Sequence, residues 1–144
     1  MGKITYTGRS VIPMEFVALR EAVGWPAINE AQAGYAVRMD LFSIVVLIDE
    51  EAVGCARVLG DGVLHFVITD VMVHPRVQRR GVGTKLMELL LEWIGSRAFP
   101  PASVELVAAP GTAPFFERLG FTACSAEMPA MVLSGRTRMN AGNA

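Results

Sequence analysis

The stretch Val71-Met72-Val73-His74-Pro75-Arg76-Val77-Gln78-Arg79-Arg80-Gly81-Val82-Gly83-Thr84-Lys85-Leu86-Met87 decides how this chain is read. It predicts a strand, a tight basic turn and a helix in immediate succession. Val71 and Val73 extend an apolar run that begins at Phe66. Pro75 has no N–H for a ladder and stops the strand. Gly81 and Gly83 lack Cβ, so their backbone can curl and come close to a ligand. The first-turn N–H groups of a helix have no intrahelical acceptor, and with the helix dipole they favour an anion. Arg79 and Arg80 add positive charge at the same point. A phosphate-bearing ligand suits such a turn.

Three glycine-rich patterns compete for it. A dinucleotide fingerprint needs G-x-G-x-x-G, but Gly81-Val82-Gly83-Thr84-Lys85-Leu86 ends in leucine, and no acidic residue follows about 20 residues on at a strand end. A P-loop needs its Ser or Thr after the lysine, and Thr84 precedes Lys85. The third pattern is Q/R-x-x-G-x-G/A between strand and helix, and Gln78-Arg79-Arg80-Gly81-Val82-Gly83 satisfies it fully. Here the chain resembles the GCN5-related N-acetyltransferases, whose loop of this form holds the pyrophosphate of acetyl-coenzyme A. A second segment, Phe115-Phe116-Glu117-Arg118-Leu119-Gly120-Phe121, is similar to that family's F-Y-x-x-x-G-F, and order and spacing agree from about Phe42 to Phe121.

Length and composition bound the remaining possibilities. The chain has 144 residues, of which 52% are apolar, enough for one domain with a sizeable core. A net charge of −1 implies no general nucleic-acid role. No apolar run has membrane-spanning length and no signal peptide is evident, so no membrane partner is expected. Cys55 and Cys124 sit in apolar, strand-like runs and read as reduced core residues of a cytoplasmic protein, not as a disulfide or a metal site.

Taken in order, Ile4–Thr7 predicts a short strand. Pro13 suits the first turn of a helix, Phe16, Leu19, Arg20 and Val23 give its period, and Gly24 ends it. Asn29 can cap a second helix through Met39. Leu41–Ile48, Ala52–Leu59 and Val63–Val73 predict a meander of three strands with short polar connections. Gly81–Ser96 is a long helix burying Leu86, Leu89, Leu90, Trp93 and Ile94. Val104–Ala108 predicts a strand parallel to the one before the loop, through a right-handed crossover. Thr112–Leu119 predicts a short helix, and Phe121–Cys124 with Ala130–Leu133 a last hairpin. A single domain over 1–134 is expected, with a frayed polar tail over 135–144.

The resemblance implies an α/β acyl-CoA N-acyltransferase (GNAT) fold: a central mixed sheet flanked by helices, with one parallel strand pair splayed around the cofactor. It implies acetyl-CoA as cosubstrate, no metal, and transfer to a primary amine of a small molecule or peptide by direct attack in a ternary complex. Many members dimerise, so a homodimer is possible, although no sequence feature here fixes the oligomeric state. By the same resemblance the cofactor-binding residues are Val71, Met72 and Val73, whose backbone would pair with pantetheine, Gln78, Arg79, Arg80, Gly81, Val82, Gly83 and Thr84 around the pyrophosphate, and Phe116. The two strands are expected to part after Val73. The segment between the first two helices shapes the acceptor pocket in the family, which makes Trp25, Tyr35 and Met39 pocket candidates, with core or interface positions as the plainer alternative.

Catalytic residues are less legible. The family usually places a tyrosine where this chain has Phe116, which has no hydroxyl, and its frequent asparagine is absent from Val107-Ala108-Ala109-Pro110. These departures keep open a second function class, an acyl-CoA-binding or sensing module with weak or no catalysis. Regular alternation puts residues 65, 67, 69, 71 and 73 on one face of the strand and Asp70 on the other. Positions matching Val67 or Thr69 often hold a base in the family, and neither is basic here. Asp70 and His65 are the catalytic candidates. Asp70 could take an amine proton through water or bind a cationic acceptor, or be a structural carboxylate satisfied by Arg57. His65 could equally be an edge-strand surface residue.

Overall fold

Three consecutive stretches of alternating and β-branched apolar residues build the centre of the fold. In the computed structural model, which describes residues 2–132, they are β2 (Phe42–Ile48), β3 (Glu51–Gly60) and β4 (His65–Val73). Ahead of them come β1 (Ile4–Gly8), α1 (Pro13–Ala22) and α2 (Glu30–Val37); after them α3 (Val82–Gly95), β5 (Ser103–Leu106) and α4 (Ala113–Glu117). The sheet order is β1-β2-β3-β4-β5, antiparallel except for the β4–β5 pair. The expected mixed sheet with one parallel pair is therefore present. The chain divides into two compact units, Met1–Val107 and Ala108–Ala144.

Local chemistry explains the boundaries. Pro13 opens α1, and Glu15 closes its first turn by accepting from the Ile12 amide at 2.9 Å and from Arg9. Asn29 and Gln32 form a reciprocal capping box on α2, each bond 2.8 Å. The β2–β3 turn places both Asp49 and Glu50 at positive φ, 48° and 68°, as a two-residue hairpin turn of the primed type demands. The Asp61 carboxylate gathers the amides of Val63, Leu64 and His65, so β4 begins at His65 and not at Val63.

The sheet is packed on both faces. One carries α1 and α2 over a core of Val11, Phe16, Leu19, Ala33, Val37, Val45, Cys55 and Met72. The other receives Leu86, Met87, Leu90 and Ile94 of α3, all buried, and Trp93 stacks on Phe42 with ring centroids 4.6 Å apart.

In the second unit, Phe116 lies edge-on to Phe115 and Phe121 within α4 and the turn that follows. The expected last hairpin does not form: residues 121–132 contain no strand and are almost all exposed, so their apolar side chains find no buried face to pleat against. Cys124 is accordingly exposed, not in a core strand, while Cys55 is buried as expected. Leu133 and the tail expected over 135–144 lie outside the described residues.

Candidate functional site

The loop after β4 is held by its own polar groups. His74 donates its amide to the Val53 carbonyl at 2.7 Å, and its Nδ1 accepts from the Arg76 amide. Pro75–Val77 form one tight helical turn whose Val77 is fully buried. Gln78 Nε2 returns to the Val73 carbonyl at 2.9 Å, tying the loop to the strand it leaves. Arg79 and Gly81 both take left-handed backbone, φ 63° and 76°.

Gly81 is the N-cap of α3, so no side chain caps the helix and its first turn carries no acidic residue. The amides of Val82, Gly83 and Thr84 therefore face outward without an intrahelical acceptor. Arg79, Arg80 and Lys85 stand exposed around them. Arg76 pairs instead with Glu51 at 3.1 Å.

Beside this loop the parallel strands part. β5 pairs with His65–Ile68 only, the last partners being Ile68 and Leu106. β4 runs on through Val73, so the splay begins after Ile68, five residues earlier than expected. The cause is a bulge. Arg57 pairs with Thr69 and Cys55 with Met72, leaving one extra residue in β4, and Asp70 takes φ 51°. The extra residue breaks the alternation. Thr69 and Met72 lie on the α1/α2 face, and Val73, opposite Gly54, lies on the other, so residues 65, 67, 69, 71 and 73 do not all share one face as regular alternation predicts.

The bulge also corrects the expected orientation of Asp70. Its carboxylate lies on the α1/α2 side, bound to Arg57 Nη1 and 3.5 Å from Arg20 Nη1. Arg57 is only 5% exposed. It also donates to Asp40 at 2.9 Å and to the Ala36 carbonyl at 2.8 Å, and its guanidinium lies over the Phe16 ring. Burial opposes its charge, but the hydrogen bonds and charges of Asp40 and Asp70 outweigh that and raise its pKa. Cys55 donates its Sγ–H to the Asp70 carbonyl at 3.5 Å; burial, reinforced by the Asp70 charge, pushes the thiol pKa far up.

The structure thus gathers Asp70 and Val71–Val73 at the gap and Gln78–Thr84 at its end. His65 stands apart, at the start of β4 beside Ser103, roughly 16 Å from Asp70 along five extended residues. Phe116 is buried in the second unit. Trp25 packs on the core beneath α1, with the Arg20 guanidinium over its ring. Tyr35 and Met39 are exposed, and Tyr35 lines a surface cavity of about 570 Å³ with Val11, Val37 and Arg38. Among the described residues no cluster of His, Cys, Asp or Glu could hold a metal, and no helix is long and apolar enough to cross a membrane.

Sequence reasoning missed Arg20 and Asp40 as partners of the gap. The signal available for Arg20 was a charged residue within the apolar period of α1. For the bulge it was an aspartate, tolerant of left-handed backbone, inside a β-branched run.

The model of the Acetyltransferase (GNAT) family matches residues 14–121. Serotonin N-acetyltransferase 2, chloroplastic, of Oryza sativa subsp. japonica is 32% identical over 123 residues, covering 78% of this chain and 59% of the rice protein. GCN5-related N-acetyltransferase 1, chloroplastic, of Arabidopsis thaliana is 29% identical over 119 residues, covering 81% and 59%. The chain thus spans about three fifths of the length of these relatives. A Staphylococcus aureus protein described as a probable acetyltransferase superposes with a TM-score of 0.85 at 22% identity, over 92% of this chain and 99% of the other. A GNAT family protein of Streptococcus pneumoniae superposes with a TM-score of 0.77 at 27% identity, over 93% and 99%.

Proposed function

The chain belongs to the Acetyltransferase (GNAT) family, and from that premise we propose that it moves the acetyl group of acetyl-CoA to a primary amine of a small molecule or peptide, within a ternary complex. The observation that carries this reading is the gap itself. β4 runs on past its last β5 partner and ends in a basic loop whose helix has no side-chain cap. An extended pantetheine arm can lie along Val71–Val73 as an added strand, because backbone pairing needs no particular side chain. The pyrophosphate then falls to the amides between Gln78 and Thr84, with Arg79 and Arg80 matching its charge. Such a ligand is a phosphorylated thioester, and no metal is needed to hold it.

The chemistry follows from that placement. The amine nitrogen attacks the thioester carbon, the carbon–sulfur bond breaks, and coenzyme A leaves as a thiolate. Strand-edge amides beside the carbonyl oxygen can take up its developing charge. The nitrogen gives up one proton, which passes through water to the departing thiolate. That proton is assigned to no side chain of β4, because the Asp70 charge is matched by arginines and His65 is distant. A thiolate is a tolerable leaving group near neutral pH, so Phe116 in place of a hydroxyl slows the reaction without forbidding it.

The rice relative's name makes aryl-alkylamines the first acceptors to try. The buried, reduced Cys55 suits a reducing compartment such as the cytoplasm. The test is thiol release from acetyl-CoA with pools of aryl-alkylamines, polyamines, amino acids, aminosugars and short peptides. Release above the amine-free rate in one pool is expected. Absence of any saturable coenzyme A binding would overturn the reading. Phe116 favours one alternative, a binding or sensing module, which binding without release in every pool would support.

A further inference from the structure

Asp70 holds left-handed backbone, φ 51°, inside a strand and two residues past the last β4–β5 pair at Ile68. Three groups constrain it. Arg57 reaches its carboxylate from β3, Arg20 reaches it from α1, and the Cys55 thiol donates to its carbonyl. Arg57 is fixed in turn by Asp40, which also accepts from Ser43 Oγ at 2.5 Å, and by the Ala36 carbonyl at the end of α2. The four charges of Arg20, Arg57, Asp40 and Asp70 sum to zero, and no buried side-chain nitrogen or oxygen is left without a partner among the described residues. A carboxylate held in this way has its charge already neutralised, while its backbone is locked.

We propose that Arg57 and Arg20 are positioning residues that act through Asp70: by gripping its carboxylate they keep it in left-handed backbone, hold the bulge in β4, and so keep the outer edge of Val71–Val73, which stays paired to β3 on its inner side, clear of β5 to receive coenzyme A. This rests on the acetyl-transfer reading, since it takes coenzyme A as the ligand of that edge. It also gives Asp70 a different task from that of a base. Its backbone, not its proton affinity, is what the site uses. Because α1 and α2 contribute Arg20 and Ala36 to the grip, the helices over this face and the opening of the edge are set by one network.

Glycine adopts positive φ without help, which supplies the test. Coenzyme A binding is measured by calorimetry on the full chain, with the thermal midpoint followed in parallel. Arg57→Gln is expected to weaken binding about tenfold, equivalent to about 1.4 kcal/mol. Adding Asp70→Gly to that variant is expected to bring the affinity back to within about threefold of the unaltered protein, about 0.65 kcal/mol, while the thermal midpoint stays low. A merely structural role moves affinity and midpoint together, so restored affinity at a low midpoint is the distinguishing result. Should Arg57→Gln fail to fold, Arg20→Gln takes its place, with the same rescue expected from Asp70→Gly. A folded Arg57→Gln with unchanged affinity, or a glycine that restores none of the loss, overturns the proposal and leaves acetyl transfer standing. No coenzyme A binding by the unaltered protein overturns both.

Discussion

Asp61 shows how a single exposed carboxylate can set where a strand begins. It accepts from three successive amides at 2.8, 2.8 and 3.0 Å. The amides of His65, Val63 and Leu64 hold its pKa down from 3.8 to about 2. A carboxylate whose folded value lies below its unfolded value stabilises the fold at pH above the unfolded value and loses that contribution as the pH falls through the folded one. Asp61→Asn keeps an oxygen acceptor but carries no charge at any pH. The variant is therefore expected to unfold at a lower temperature than the unaltered protein at pH 6, and the difference is expected to close as the pH falls from 3.8 toward about 2. Thermal melts across that range check it. A difference that persists undiminished at the acid end would mean that packing, not charge, is what Asp61 supplies. At Gly81 the issue is backbone. Its φ is 76° and a Cβ there would meet nothing within 4 Å, so the free protein has room for a side chain but not the conformation. Gly81→Val forces a β-branched residue into left-handed backbone at a cost of roughly 1–2 kcal/mol. Gly81→Asn avoids most of that strain yet still fills with a side chain the open space beside the loop through which a pyrophosphate would approach. Both are expected to lose coenzyme A binding in calorimetry, with the Asn variant keeping near-normal stability. Unaltered affinity in the Asn variant would remove the loop from the cofactor site.

Elements whose residues carry a clear period or a terminating residue were the ones legible in the chain. Pro13 and Gly24 bracket α1 as expected, and Asn29 caps α2. The meander and α3 follow from alternation and from the apolar stripe through Leu86, Leu90 and Ile94. The succession of strand, tight turn and helix was legible because Pro75 ends β4 and Gly81 opens α3. What escaped is what period cannot encode. Alternation assumes a regular strand, so one inserted residue at Asp70 undoes every assignment of face beyond it. The same insertion moves the splay to Ile68, because a strand bent by a bulge cannot keep a straight parallel neighbour. The false hairpin over residues 121–132 has the opposite origin. Apolar and β-branched content suggested a pleated surface, but strand propensity is realised only against a buried face, and these side chains are exposed. The buried charges were hidden for a third reason. Arg20, Asp40, Arg57 and Asp70 are spread over fifty residues of sequence, and only the register of β3 on β4 and the packing of α1 bring them together.

Across the molecule, the sheet of the first unit separates two tasks. The α1/α2 face carries the buried ion pairs that grip Asp70, while the α3 face is apolar, with Leu86, Met87 and Leu90 fully buried. Damage to one face should therefore register differently from damage to the other. Leu86→Ala removes a fully buried side chain one turn into α3, at an expected cost of about 2–5 kcal/mol from lost transfer energy and the remaining cavity. The start of that helix does not depend on Leu86 alone. Val77 and Val82 are buried on either side of the loop, and Gln78 ties it to Val73. The first-turn amides should therefore stay in place while the variant is folded. A denaturation midpoint well below that of the unaltered protein is expected, together with coenzyme A affinity within about twofold of it when measured far below the unfolding transition, a change of about 0.4 kcal/mol. Arg57→Gln is expected to lose both stability and affinity, because removing one partner strands a buried charge and frees the bulge. If Leu86→Ala weakened coenzyme A binding as much as Arg57→Gln does, the site would answer to stability in general, and the division of labour between the two faces would not hold.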